Sequence, residues 1–215
     1  MKFWCKSILL LVLSLAASVL LAGSSGPARS ELERFAAELE GFQADFVQTV
    51  KSQDGRVQDQ THGKVWLQSP DKLRWVYSGE FPETIVADGI NIWIYDESLQ
   101  QVTVKPQSDQ AADSPLMILA DVSRIDQQFQ VTELGDFEKM LLLELKSLDS
   151  ESEFERILLG LDSSGIRMMA MEDAFGQRTE VHFENMLKNS PIDQALFEFT
   201  PPDGADLVGV VSLPD

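Results

Sequence analysis

Cysteine and histidine are nearly absent from this sequence of 215 residues. The only cysteine is Cys5, so a framework of internal disulfides is excluded, as is a zinc site made of several thiolates. The two histidines are His62, at the start of a predicted strand, and His182, on the polar face of another. A two-histidine zinc site needs both side chains to converge with carboxylates. We therefore interpret them as solvated strand residues and expect no metal site.

Catalytic sequence motifs are also missing. The chain has no glycine-rich phosphate loop before a helix, no G-x-S-x-G and no H-E-x-x-H. Acidic residues are abundant, but they lie in predicted turns and on polar strand faces, and nothing singles out a pair suited to glycoside hydrolysis. The sequence therefore predicts a protein that is not an enzyme and needs no cofactor.

Basic residues are scarce relative to acidic ones. The chain has 17 lysines and arginines against 35 acidic residues, a net charge of −18. Such a surface repels nucleic-acid phosphates and anionic lipid headgroups. We therefore expect no nucleic-acid partner. We also predict, separately, a monomer whose contacts with membrane proteins are only transient. A simpler interpretation is that the charge only keeps the protein soluble.

The beginning of the chain is typical of a secretory signal peptide. Lys2 and Lys6 precede an apolar run over residues 8–21, and small residues follow at 22–26. The apolar run is short for a comfortable membrane span, and its small-residue exit suits cleavage. The alternative is that the run is retained as an amino-terminal anchor.

Cleavage of this segment defines the predicted domain organisation. We expect a signal peptide over residues 1–24, with the cleavage site within about 22–28, and a single domain over residues 25–215. The mature chain would then lack Cys5 and all thiol chemistry. Its length suits one domain with a sizeable core, and we predict that it resides in the bacterial periplasm.

A period of two dominates the apolar pattern from Phe42 onward, which is typical of β-strands. FQADFVQTV begins the pattern and FEFTPP, a last short strand, ends it. Turns are predicted at Asp54-Gly55, Asp88-Gly89, Gly135-Asp136 and Ser163-Ser164-Gly165. We predict about ten or eleven short antiparallel strands. The fold class is mainly β with short α-helices, and the sheet is strongly curved or forms an incomplete β-barrel.

Two or three short helices are predicted, and the sequence locates two of them. The first spans Ser30 to Glu40, with Ser30 and Glu33 as a capping box. Its apolar stripe consists of Leu32, Phe35, Ala36 and Leu39. The second is SPLMILAD, with Ser114 as N-cap and Pro115 at the first helical position. It is apolar all round, which predicts a helix buried as a plug or lid over a cavity.

The strand in DGINIWIYD, residues 88–96, is apolar on both faces. An antiparallel strand usually has one polar, solvated face, so we predict that neighbouring elements cover both sides. We favour Ile92 and Ile94 packing against the interior, with Trp93 and Tyr95 nearer a rim, although the pattern also allows the reverse. The Asp-Gly pair predicts a two-residue turn in which both central residues have positive φ.

Five segments in order resemble the outer-membrane lipoprotein carrier (LolA) family, and the resemblance covers nearly the whole chain after the signal segment. These segments are FQADFVQTV, GKVWLQSPDKLRW, VADGINIWIYD, SPLMILA and FEFTPPDGADLV. None of them is a catalytic signature. The resemblance implies an incomplete antiparallel barrel, closed by helices, whose apolar cavity holds the acyl chains of a lipoprotein. It also implies transfer of acylated lipoproteins from the inner-membrane LolCDE transporter to the outer-membrane receptor LolB.

The resemblance and the apolar pattern together define the candidate lining of the cavity. The candidates are Leu32, Phe35, Leu39, Phe46, Trp66, Leu73, Trp75, Ile92, Trp93, Leu116, Met117, Leu119, Leu143, Met169 and Phe183. Met and Leu are adaptable side chains that suit flexible apolar ligands. For any single one of these residues, an ordinary core position is the competing interpretation.

Departures from the family's pattern concern the first hairpin and the ending. The family often has Arg before the proline of this hairpin, and here the residue is Ser69. Lys72 and Arg74 are nearby, and we expect a locally basic rim there that contacts the lid or a partner. Arg74 lies on the strand face opposite to Leu73, however. Near the end, Ala205 stands where the family usually has Val.

Other functions remain open at this point. A LolB-like receptor needs a lipidated cysteine, and LLAGS ends in Ser24 instead. A regulatory sensor of the RseB kind has a related fold but needs a second domain. A periplasmic hydrolase would need a role for a histidine. A plain protein-interaction module would not retain acylated cargo.

Overall fold

The computed structural model describes residues 26–37, 39–107, 125–150 and 152–213. Within these ranges one sheet of 12 strands runs in the order β12-β6-β5-β4-β3-β2-β1-β11-β10-β9-β8-β7. Its elements, in chain order, are α1 (Pro27–Ala36), β1 (Gly41–Lys51), β2 (Val57–Gln68), β3 (Lys72–Ser78), β4 (Glu83–Asp88), β5 (Asn91–Asp96), β6 (Gln101–Pro106), α2 (Ile125–Gln128), β7 (Phe129–Phe137), β8 (Met140–Ser147), β9 (Phe154–Asp162), β10 (Gly165–Asp173), β11 (Arg178–Lys188), a 3₁₀ helix (Gln194–Phe197) and β12 (Asp206–Gly209). Neighbouring strands pair antiparallel, except that β12 pairs parallel with β6. The predicted mainly β class and open curved sheet are confirmed.

One face of the sheet carries the main core. Side chains from α1, α2 and most strands of the sheet meet there in a single buried cluster. Because strands far apart in the sheet contribute to one cluster, this face is the inner, concave one. Helix α1 packs on it across β7 to β10. Burial of this apolar surface is the dominant favourable contribution to folding.

Helix α1 begins three residues before the predicted start, and the capping box is wrong. Gly26 is the N-cap and Pro27 the first helical residue. The carboxylate of Glu133, on β7, accepts hydrogen bonds from the backbone N–H of Ala28 at 3.1 Å and of Arg29 at 2.8 Å. A distant acid therefore satisfies free N–H groups that a local cap usually satisfies. The helix also ends at Ala36, before the predicted Glu40.

The hairpin between β7 and β8 also differs from the prediction. Gly135 has φ +82°, but it lies within β7, at a shift of register opposite β8. The left-handed glycine thus forms a β-bulge. The turn itself consists of Glu138 and Lys139, whose φ angles are 49° and 69°. Two positive φ values match the right-handed twist of the flanking strands.

The carboxyl-terminal segment is not the strand predicted from FEFTPP. A 3₁₀ helix starts after Asp193, whose carboxylate accepts the N–H of Ala195. The chain then crosses the outer face of the sheet, where the ring of Phe199 lies 5.6 Å from that of Trp93 and 6.1 Å from that of Tyr95. Proline at 201 and 202 removes backbone donors, which disfavours a strand there. The last strand is instead the parallel β12.

Both faces of β5 are therefore covered, as predicted. Ile92 belongs to the main core, with Ile94 packed against it. Trp93 belongs to a second cluster on the outer face, where Tyr95 and Phe199 pack against it. The preceding turn is centred on Gly89 and Ile90. Only Gly89 has a positive φ, at 99°, so the predicted pair of left-handed residues is wrong.

The predicted signal peptide at 1–24 and the predicted second helix, Ser114 to Ala120, lie outside the described residues. The described part of the chain contains no helix with the length and apolarity needed to cross a membrane.

Candidate functional site on the concave face

Most of the predicted lining residues lie together on the concave face. Those buried in its main core are Leu32, Phe35, Phe46, Leu73, Trp75, Ile92, Leu143, Met169 and Phe183. Leu39 is partly buried and packs against the same cluster. The period of two along each strand is the physical reason, since alternate side chains share one face. Leu116, Met117 and Leu119 lie outside the described residues.

Two predicted lining residues lie on the opposite face. Trp66 follows Val65, which points into the core, so its own side chain points outward. Its indole N–H donates to Oε1 of Gln43 at 3.1 Å. Trp93 is 7 % exposed and packs in the outer cluster, and its indole N–H donates to Oδ2 of Asp88 at 2.8 Å. These two tryptophans therefore pack on the outer face of the sheet and do not line the concave face.

Apolar side chains that are not fully buried mark where the concave face can receive a ligand. Ile85 and Ile94 lie opposite each other on β4 and β5, and both are only partly buried against the main core. Tyr77, on β3, is similarly placed. Neither Ile85 nor Tyr77 was among the predicted lining residues, although Tyr77 alternates in phase with Trp75 on β3 and Ile85 is the cross-strand partner of Trp75. Strand phase was the signal that could have found them.

Polar side chains lie at the end of the concave face that is nearest the β1–β2 and β3–β4 hairpins. We call Gln48, Thr61, Tyr77, Glu83 and Asp96 the polar end. The hydroxyl of Tyr77 donates to Oε1 of Gln48 at 3.0 Å. Thr61 is the cross-strand partner of Gln48, and Glu83 is the partner of both Tyr77 and Asp96.

Burial and negative charge shift the ionisation of this polar end. Burial raises the pKa of Tyr77 to about 12, and the charge of Glu83 adds to this rise. Burial also raises the pKa of Glu83, and the nearby charge of Asp96 acts in the same direction. The site is thus a neutral-to-acidic rim beside an apolar surface, and it disfavours anionic groups.

The predicted contact residues Lys72 and Arg74 share the outer face of β3, because they alternate with Leu73 of the main core. Arg74 lies on the outer face, where its guanidinium donates to the backbone oxygen of Leu196 at 3.1 Å. Burial lowers the pKa of Arg74. Lys72 is the cross-strand partner of Asp88 on β4. The backbone N–H of Ser69 donates to the carbonyl of Glu40 at 3.0 Å. Arg74 therefore holds the carboxyl-terminal segment against the sheet.

An ion pair to α2 and a hydrogen bond from β11 hold helix α1 over the other half of the concave face. Arg29 donates to Oδ1 of Asp126 at 2.6 Å and to Oε1 of Glu33 at 3.0 Å. Hydrogen bonding from Arg29 lowers the pKa of Asp126. At the other end of the helix, the ammonium of Lys188 donates to the carbonyl of Ala37 at 3.0 Å. The helix is thus fixed at both ends.

The histidines share the outer face. Each is a cross-strand partner of Val47, His62 on β2 and His182 on β11, with β1 between them. In the described part of the chain, no group of three or more His, Cys, Asp or Glu side chains is placed to hold a metal ion.

Comparison with known proteins gives one consistent result. Residues 37–200 match the family model described as "Outer membrane lipoprotein carrier protein LolA". An outer-membrane lipoprotein carrier protein of Xanthomonas campestris pv. campestris (strain B100) is 37% identical over 202 residues, which is 93% of this chain and 94% of the relative. The protein of the same name from Dechloromonas aromatica (strain RCB) is 35% identical over 179 residues, 83% of this chain and 86% of the relative.

Solved structures support the fold. A crystal structure of an uncharacterized conserved protein from Thermus thermophilus superposes with a TM-score of 0.52 at 12% identity, covering 83% of this chain and 94% of the other. The crystal structure of MucB gives a TM-score of 0.50 at 15% identity, covering 86% of this chain and 66% of MucB. At these identities the likeness concerns the fold alone.

Proposed function

Because the chain belongs to the outer membrane lipoprotein carrier protein LolA family, we propose that it is a periplasmic carrier that binds the acyl chains of lipoproteins on its concave face. The observation that carries the proposal is the partly exposed apolar surface of Ile85 and Ile94 beside the main core. The alignment with a relative named outer-membrane lipoprotein carrier protein covers nearly the full chain. A carrier role needs no catalytic residue.

The physical chemistry of the cargo favours direct transfer between proteins. Each buried CH₂ group of an acyl chain is worth about 0.8 kcal/mol, so two or three long chains represent tens of kcal/mol as an upper bound. Cargo of this kind cannot leave through water on a useful timescale. It must pass from one apolar site directly into another, which is what a carrier with an open concave face permits.

The partners follow from the family. We infer that the protein takes acylated lipoproteins from the LolCDE transporter of the inner membrane and delivers them to the LolB receptor of the outer membrane. We further propose that residues 1–24 are a cleaved signal peptide, which the basic start and short apolar run support, and that Ser24 stands where a lipoprotein would carry its lipidated cysteine. The acidic net charge of −18 fits a protein that does not adhere to anionic membrane surfaces.

A charge placed on the concave face tests this function. Ile94→Glu puts a carboxylate on the apolar surface, where lipid would bury it without a partner. Val47→Glu is the matched control, because Val47 is also a partly buried aliphatic strand residue but shares the outer face with the histidines. Both proteins are assayed for release of lipoproteins from spheroplasts and for melting temperature.

The expected result is that Ile94→Glu fails to release lipoproteins while Val47→Glu releases them normally, with both variants folded by circular dichroism. Normal release by Ile94→Glu would contradict the proposal. Equal loss in both variants would also contradict it, because the effect would then not depend on the face.

A further inference from the structure

A cavity of about 240 Å³ opens on the outer face of the sheet, where β2, β1 and β11 lie side by side. Trp66, Gln43 and Leu187 form one row of cross-strand partners along it, and Lys64 with Asp45 belongs to the next row. Cavities that hold drug-sized ligands have roughly 300–1,000 Å³. This cavity is therefore of a size for a smaller group, such as one six-membered ring.

A β-bulge in β11 shapes this first cavity. Two residues of β11, Asn185 and Met186, lie opposite the single residue Ala44 of β1. Asn185 has φ +51°, which is uncommon for a residue other than glycine. Its side-chain amide lines the cavity and donates to Oδ2 of Asp45 at 2.8 Å. Bulges beside binding sites often re-aim a side chain in this way.

A second cavity, of about 230 Å³, adjoins the first along β1 and β2. Gln43 stands between them, since it lines the first cavity and its amide donates to Oγ of Ser190, which lines the second, at 3.1 Å. Gln68 lies two residues beyond Trp66 on β2, about 7 Å further along the same face. Its Oε1 accepts the side-chain amide of Gln194 at 2.6 Å, and both residues line the second cavity.

Amide side chains recur along the polar walls of both cavities. A side-chain amide offers two N–H donors and an acceptor oxygen, so it matches a ligand hydroxyl, which also donates and accepts. The amides that line the two cavities are Gln43, Asn185, Gln68, Asn189 and Gln194.

Charge and apolar surface narrow the choice of ligand. Lys64 and Asp45 form an ion pair, so their charges cancel in the first cavity, and Glu40 on the second disfavours an anion. A purely apolar ligand would bury the polar walls without hydrogen bonds, which is costly. The indole N–H of Trp66 is engaged by Gln43 at 3.1 Å, which fixes the ring and leaves its face for packing.

A neutral ring with hydroxyls on its rim and C–H groups on its face meets these conditions, and a pyranose sugar is such a ring. We propose that the two cavities form a binding site for neutral pyranose units of a glycan, with the face of Trp66 and the amide side chains as its contacts. The site lies on the face opposite to the acyl chains. It therefore goes beyond the proposed carrier function and does not depend on it.

Two uncharged tetrasaccharides test the site and separate the sources of such a ring. Chitotetraose consists of N-acetylglucosamine, like acetylated cell-wall glycans, and maltotetraose consists of unacetylated glucose. In the ¹⁵N spectrum of the parent, the indole N–H signal of Trp66 should shift on titration with one or both sugars, while those of Trp75 and Trp93 stay in place. The sugar that binds more tightly identifies the class of glycan.

Two glutamines on the outer face of β2 provide a matched pair of variants. Gln68→Ala removes an amide from the second cavity and should weaken binding on the order of fivefold. Gln60→Ala removes an exposed amide that alternates in phase with Lys64 and Trp66 but lies beyond the cavities, and it should bind like the parent. Trp66→Leu should weaken binding on the order of tenfold. Melting followed by circular dichroism checks that each variant is folded.

The proposal is overturned if neither sugar shifts the Trp66 signal. It is also overturned if the Trp93 signal shifts as much as that of Trp66, or if Gln60→Ala weakens binding as much as Gln68→Ala, because the contact would then not depend on the cavities. If Trp66→Leu does not fold, Gln68→Ala and the Trp66 signal of the parent still decide the question.

Discussion

Glu133 stabilises the start of helix α1 from a strand on the far edge of the sheet. Its carboxylate accepts the N–H of Ala28 at 3.1 Å and of Arg29 at 2.8 Å. Replacement of a capping acceptor by alanine costs about 0.5–2 kcal/mol, and hydrogen bonds to charged groups lie at about 1.5–3 kcal/mol. We therefore expect Glu133→Ala to lower the free energy of unfolding by about 2 kcal/mol.

For a domain of this size, about 1 kcal/mol shifts the melting temperature by roughly 2–4 °C, so the expected decrease is about 4–8 °C. Glu133→Gln keeps one neutral acceptor, so its melting temperature should lie between those of the parent and of the alanine variant. Glu155→Ala is the control, because Glu155 is an exposed acid on β9, which is separated from β7 by β8. Thermal melting followed by circular dichroism measures all of these.

Hydrogen exchange locates the effect. Backbone amides of α1, which covers β7 to β10 through Leu32 and Phe35, should exchange faster in Glu133→Ala than in the parent. Two results would refute this role of Glu133. The first is that Glu133→Ala melts at the same temperature as the parent and Glu155→Ala. The second is that its faster amide exchange is spread evenly over the sheet.

Three further changes test other parts of the account. Arg74→Met removes the guanidinium that donates to the carbonyl of Leu196; it should cost about 1–2 kcal/mol in chemical denaturation and speed proteolysis of the carboxyl-terminal segment, and unchanged proteolysis would contradict that role. The pKa of Glu83 is raised by burial and by Asp96, so its ionisation costs stability at pH 7, and this cost is absent once pH is below the ordinary value of 4.5; Glu83→Gln should therefore raise the melting temperature at pH 7 but not at low pH, and a gain that persists in acid would refute the cause. A Cβ at Gly63 would lie 1.9 Å from the carbonyl oxygen of Val76 and 2.7 Å from the ring of Phe46; Gly63→Ala should cost at least about 2 kcal/mol, whereas Gly55→Asn, in an open turn with φ +80°, should leave the melting temperature nearly unchanged.

Strand phase could be predicted from the sequence because it depends on local alternation. Phe42, Ala44 and Phe46 alternate along β1, and all three are buried in the main core. A single strand does not show which of its faces becomes concave, however. Both faces of β5 are apolar, and it was the contact of Phe199 with Trp93 that separated the inner side from the outer.

Contacts between residues distant in sequence account for the predictions that were wrong. Glu133 caps a helix more than a hundred residues earlier, so no local pattern could indicate the helix start. The carboxyl-terminal segment is held by Arg74 and by the side-chain amide of Asn91, which contacts both the N–H and the carbonyl of Ser212. The pattern of its apolar residues predicted a strand, but tertiary contacts determine the conformation of this segment.

Residues of the candidate site could be predicted only where the strand phase of one side chain fixed the phase of the side chains next to it. Trp75 was correctly placed on the concave face, and Ile85 follows from the register of β3 with β4. Trp66 and Trp93 were selected as bulky apolar side chains in segments that resemble the family, and neither property carries information on strand phase. The expected contact role of Arg74 stays a prediction; its guanidinium lies on the outer face and donates to the backbone oxygen of Leu196.

Photo-crosslinking at two adjacent residues tests the central claim most directly. A benzoylphenylalanine is placed at Ile94, on the concave face, or at Tyr95, beside Phe199 on the outer face, and cells are irradiated with metabolically labelled lipoproteins present. If the concave face binds the acyl chains, acylated lipoproteins become linked at position 94 and not at position 95. Equal linkage at both positions, or linkage at 95 alone, would contradict the account.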